Sequence, residues 1–182
     1  LKKVMLICDG GCSGNGSESN LGGWGAVLVY GTHVKELYGG ATSTTNNIME
    51  LTAAIEGLSA LKSQDLEVAI FSDSAYVVNC FKQKWYVKWQ LNGWINSKKE
   101  PVENQALWET LIALVQTFKQ VTFYKIKGHL NVEKPADVRK WFEKFNKDNR
   151  LQYSLEDFLK IVEYNHLADA LANKGIDENR VS

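Results

Sequence analysis

At 182 residues, with 45% hydrophobic and 23% charged residues, the chain has apolar material for one domain with a proper core and too little length for two ordinary ones. Its 21 basic residues balance its 21 acidic ones, which excludes a protein that attracts nucleic acid by overall charge. No apolar run approaches the roughly 20 residues of a membrane span, and LKKVMLIC lacks the features of a secretory signal, so no membrane association and a cytoplasmic location are expected.

In chain order, KKVMLIC reads as an apolar strand ending at Asp9, ahead of a glycine-rich loop, DGGCSGNG. WGAVLVY and HVKELYGG continue as two further strands of a meander. From Thr45 to Leu61 apolar residues recur at three and four positions, which predicts a helix of about four turns with Thr and Asn at its cap. LEVAIFS is a short buried strand ending at Asp73, and SAYVVNCF opens another helix. Residues 104–118 repeat the helical pattern, and VTFYKIKG follows as the fifth strand. A meander followed by strand–helix alternation predicts an α/β fold with a mixed sheet. If the first and fourth strands are neighbours, Asp9 and Asp73 meet at the carboxyl edge, where open α/β sheets place their sites.

Residues 131–164 differ: they are charged, interrupted at Pro135, and carry Trp141, Phe142 and Phe145 at helical spacing, which predicts one or two added helices. Ser154 and Asp157 have the spacing of a capping box, starting a helix that runs through Asp169 to Lys174 and ends at Gly175. Three cysteines are an odd number, and Cys8 and Cys12 have no second pair at zinc-ligand spacing, so free thiols are expected. Residues 74–99 contain no acid, yet hold Lys82, Lys84, Lys88, Lys98 and Lys99 beside Trp85, Trp89 and Trp94, a local basic and aromatic surface.

An Asp after a strand is commonly a turn residue, and a Glu on a helix is commonly solvated. Yet Asp9, Glu50 and Asp73 lie within words that occur in a fixed order: DGGCSGNG with GGWGAVL, TTNNIMELTAAIEGL, SDSAYV, IKGH and NHLADALA. On these words the chain resembles type 1 ribonuclease H over nearly all its length except residues 131–164. The resemblance implies a ribonuclease H-like five-stranded mixed sheet, an antiparallel meander then parallel strands, flanked by helices. It implies one domain over residues 1–182, with an inserted helical segment at about 131–164, and a monomer is expected.

The activity implied is endonucleolytic hydrolysis of the RNA strand of an RNA–DNA hybrid, leaving 5′-phosphate and 3′-hydroxyl ends. By resemblance, Asp9, Glu50, Asp73 and Asp169 hold two Mg²⁺ ions, with Mn²⁺ as a substitute. Four oxygen donors suit hard cations, and two such ions can stabilise both the attacking and the leaving oxygen at phosphorus. His129, in IKGH, matches the family's mobile histidine, which assists proton transfer or product departure. Asn15, Asn46 and Asn47 match positions that meet the hybrid's minor groove. Backbone amides of the loop at Gly10 to Cys12 are also expected to take part.

Trp85, Lys88, Trp89, Trp94, Lys98 and Lys99 match a basic protrusion that grips the DNA strand, and Thr45 and Asn104 a pocket for one of its phosphates. Ser43 stands where some relatives have Arg, Glu103 where others have Lys, and Ala75 where Gln is common. These departures imply weaker hybrid binding, not lost catalysis.

Overall fold

The computed structural model describes residues 2–14 and 19–180. Three strands, β1 (Lys2–Ser13), β2 (Leu21–Tyr30) and β3 (His33–Thr42), form the antiparallel meander. They are followed by α1 (Asn46–Ser59) and then β4 (Leu66–Ser72), which pairs parallel to β1. Next come α2 (Ala75–Lys82), α3 (Trp85–Leu91) and α4 (Gln105–Thr117), then β5 (Gln120–Lys125), parallel to β4. Two helices close the chain, α5 (Pro135–Asn149) and α6 (Leu155–Arg180). The five-stranded sheet has the order β3-β2-β1-β4-β5, the mixed sheet expected.

Strand alternation sorts the core into two layers. Val4, Leu6 and Cys8 of β1 face a cluster built with α1, α2 and α4, centred on the fully buried Trp108. Ile7, Val27 and Phe71 face the other way, against Val138 and Phe145 of α5 and Phe158 and Ile161 of α6. Phe145 stacks on Phe71 at 6.2 Å between centroids and tilts against Phe158 at 5.3 Å, so residues 131–164 supply part of the second core layer. The buried Asn149 fastens α5 to β5: its Oδ1 accepts from the Lys125 N–H at 3.1 Å, and its Nδ2 donates to the Lys125 carbonyl at 2.9 Å.

Two boundaries depart from the sequence reading. The first strand does not stop at Asp9. Its pairing with β4 ends at Cys8 and Ser72, but its ladder with β2 continues to Ser13 opposite Leu21, because Gly10 and Gly11 find partners in Trp24 and Gly23. The final helix does not end at Gly175 but runs to Arg180. There the missing side chain serves close packing rather than a cap: a Cβ on Gly175 would collide with the Gly39 carbonyl of β3. The helix does begin as read, with Ser154 Oγ accepting from the Asp157 N–H at 3.1 Å. None of the three cysteines is in a disulfide.

Candidate active site

Where β1 loses its parallel partner, four acids from four elements converge. Asp9 comes from β1, Glu50 from the buried face of α1, Asp73 from the end of β4, and Asp169 from the middle of α6. One oxygen each of Asp9, Glu50 and Asp73 lies within 4.8 Å of the other two. Asp169 stands outside that trio and hydrogen-bonds to Asp9, as Glu50 does to Asp73. The acids thus form two carboxyl couples, each needing a shared proton or a cation between its members.

Gly10 makes this possible. A side chain there would run into the backbone of Met49 and lie 2.7 Å from the Glu50 nitrogen, so only glycine lets α1 press Glu50 toward Asp9. The Gly10 amide, unpaired on its β4 side, turns instead to the carboxylates of Asp9 and Glu50.

The electrostatics are those of a site short of positive charge. Burial, then the Asp73 charge and the bond to Asp169, push the Asp9 carboxyl up to about 8. Glu50 is raised as well, by burial first and by Asp9 and Asp73 after it. One Glu50 oxygen, Oε1, is buried with no hydrogen-bond partner. An orphaned buried oxygen beside three other acids, with an all-oxygen donor set, is what a hard divalent cation fits. The residues present therefore suit the metal that the resemblance implied.

The four acids floor a cleft of about 860 Å³. His129 lies on its rim, 69% exposed, in a left-handed backbone conformation (φ 55°), with Nε2 3.9 Å from Asp169 Oδ1. Asn46 and Asn47 line the cleft, and Asn46 Oδ1 accepts from the Cys12 N–H at 2.8 Å. The Gly10–Cys12 backbone is thus strand engaged with neighbours, not an open loop. Asn15 falls outside the described residues.

The remaining predicted contacts sit apart from the cleft. Thr45 Oγ1 caps α1 by accepting from the Ile48 N–H at 3.1 Å. Asn104 donates to the Tyr76 hydroxyl at 3.2 Å, which also accepts from Trp108 Nε1 at 2.9 Å. Trp85, Lys88 and Trp89 border a separate groove of about 700 Å³. Trp94 and Trp108 pack against Trp89 at 5.7 and 5.5 Å, so the protrusion is rooted in the core, while Lys98 and Lys99 are exposed.

Sequence reasoning missed Asn173, Asp177 and Arg180, which line the cleft from α6. Counting three and four residues onward from Asp169 would have found this face once the helix was known to continue past Gly175.

Residues 1–140 match the family model described as RNase H. The chain belongs to the ribonuclease H family. It is, accordingly, a hydrolase acting on phosphodiester bonds. A Ribonuclease H of Symbiobacterium thermophilum is 52% identical over 132 residues, covering 72% of this chain and 86% of the relative. One from Clostridium botulinum strain Hall is 40% identical over 181 residues, the whole of both chains. Among solved structures, LC9-RNase H1, a type 1 RNase H with the type 2 active-site motif, superposes with a TM-score of 0.63 at 23% identity, covering 87% of this chain and 81% of that one. LC11-RNase H1, solved in complex with an RNA/DNA hybrid, superposes with a TM-score of 0.61 at 20% identity over 97% and 98% of the two chains. Both show the family's fold. The family match ends at residue 140, short of Asp169, so the fourth acid rests on where α6 places it. Among the described residues no helix is long and apolar enough to cross a membrane.

Proposed function

We propose that this ribonuclease H cuts the RNA strand of an RNA–DNA hybrid, leaving 5′-phosphate and 3′-hydroxyl ends, as a monomer of one domain in the cytoplasm. The observation that carries the chemistry is the pair of carboxyl couples, with a partnerless Glu50 oxygen, at the floor of a cleft. Two divalent cations, Mg²⁺ or in its place Mn²⁺, would make the attacking water acidic and neutralise the leaving oxygen. Asp9 would serve both, Glu50 and Asp73 the first, and Asp169 the second. Glu50 accepts from a 2′-hydroxyl of the RNA strand and so favours RNA over DNA. Asn46 and Asn47 meet base edges and 2′-hydroxyls in the minor groove without demanding a sequence. The Trp85–Lys99 protrusion holds the DNA strand, with Thr45 and Asn104 at one of its phosphates.

Incubating labelled hybrid, duplex RNA, duplex DNA and single strands with Mg²⁺ tests this reading. Cleavage of the hybrid alone, abolished by Asp73→Asn, supports it. Cutting of duplex DNA points to another nuclease on this fold, and binding without cleavage to a module that has lost catalysis.

His129, on the rim with Nε2 3.9 Å from Asp169 Oδ1, moves a proton to the departing oxygen in this reading. His129→Ala is expected to lower kcat by about a hundredfold with KM nearly unchanged, measured under saturating Mg²⁺. With Ser43 and Glu103 weakening the positive charge near the phosphate pocket, kcat/KM is expected to fall by roughly tenfold or more between about 50 and 200 mM salt. A rate in moderate salt equal to that of a relative with Arg and Lys there would contradict it.

A further inference from the structure

The loop from β5 to His129 and helix α5 carry a charge pattern that the hydrolytic site does not use. Between residues 127 and 150 seven lysines and arginines stand against four acids, in a chain whose net charge is zero. Trp141, half-buried on α5, packs on the second core layer and takes two ammonium groups against its ring. Lys127 Nζ is 5.2 Å from the ring centroid and Lys140 Nζ 5.1 Å. Such contacts steady two long side chains while leaving N–H groups free to donate.

One member of this pair is tied to the site through the chain. Lys127 directly precedes Gly128, which is packed so closely on the Asp73 carboxylate that a Cβ would strike Asp73 Oδ2. Lys140, Lys144 and Lys147 recur at helical spacing along one exposed face of α5. Lys144 is held by Asp148 at 3.0 Å, an exposed and weak pair. The half-buried Lys125 ammonium senses the crowding: its pKa is lowered by burial first, and Lys127 and Lys144 lower it further against the pull of Asp73 and Glu50. At its C-terminal end α5 meets the start of the protrusion across a cleft of about 590 Å³ lined by Lys82, Lys84 and Arg150, with Asp148 among them. Basic surface therefore continues from the protrusion around edge strand β5 to α5.

We propose that α5 and the loop before it, through Lys127, Lys140 and Lys144 around Trp141, grip the sugar–phosphate backbone of the substrate beside the cleaved bond. The proposal rests on the hybrid-hydrolase reading above. Steady-state cleavage of the hybrid with Mg²⁺, from about 50 to 300 mM KCl, tests it with Lys140→Glu/Lys144→Glu. The expected result is a KM raised about tenfold at low salt, kcat within about twofold, and a salt slope of log kcat/KM shallower by about 2. Lys62→Glu, exposed beyond the far end of α1, serves as the charge control. Should the double variant melt early, Lys127→Gln/Lys140→Gln removes charge without reversing it and is read the same way. A KM and salt slope equal to those of Lys62→Glu, in an enzyme that cuts hybrid, overturn the grip alone. A wild-type chain that leaves hybrid intact overturns the functional reading, and the grip falls with it.

Discussion

Asp9→Asn is expected to reduce hybrid cleavage by at least about a thousandfold and yet to raise the melting temperature of the metal-free protein. Asp9 is the one acid that touches both couples: it hydrogen-bonds to Asp169 and repels Asp73 and Glu50. On the two-metal reading proposed above, it is also the acid that would serve both cations. Without metal the same position is a liability, because a buried charge among like charges is costly. A neutral isostere keeps the shape and the hydrogen bond while removing the repulsion.

The pH dependence follows from the Asp9 carboxyl lying at about 8 in the fold against an ordinary 3.8. The folded chain keeps a proton there that the unfolded chain has already released. The contribution is therefore present in full below about pH 4, shrinks across the window between the two values, and is gone above about pH 8. Metal-free wild type should lose roughly 5 °C or more in Tm between pH 5 and 8, since about 2–4 °C corresponds to 1 kcal/mol at this size. Mg²⁺ should restore the loss at pH 8 by binding only the folded state. Asp9→Asn should show a flatter pH profile and little response to Mg²⁺. Calorimetry across pH, with and without metal, checks all of this, and a profile for the variant as steep as wild type would refute the assignment.

Gly25→Ala is expected to cost about 3 kcal/mol of stability and, beyond that, about a hundredfold in kcat. A Cβ at position 25 would collide with the Ala168 carbonyl and come within 2.8 Å of Leu171 Cβ, both on α6. Helix backbone cannot yield as a flexible side chain can, so α6 must move off the sheet. Asp169 is the next residue after Ala168, and the displacement carries it away from Asp9. The melting temperature and the rate in the still-folded protein separate the two effects. A folded variant with wild-type kcat would show that Asp169 tolerates the shift.

Much of this was legible from sequence because the relevant forces are local. Apolar alternation in β1 and the recurrence of Ile48, Leu51 and Ile55 in α1 encode which faces must leave water, and the strand order follows from where crossovers are allowed. Asp9, Glu50 and Asp73, each ordinary on its own, were identifiable through the words around them, on which the chain resembles type 1 ribonuclease H. Cysteines outside any disulfide and the capping Ser154 were also readable.

What the chain by itself determined was therefore the set of elements and their order, and its resemblance pointed to which four acids to look for. Only the tertiary structure decided how far β1 runs beyond Asp9, that α6 continues past Gly175, and that Asp169 couples to Asp9 rather than joining the trio. These outcomes depend on backbone-to-backbone approach at Gly10, Gly25 and Gly175. A glycine reads the same in sequence whether it turns a loop, ends a helix or makes room for a neighbour. The difference lies in what stands opposite it, and that partner is often more than a hundred residues away in the chain.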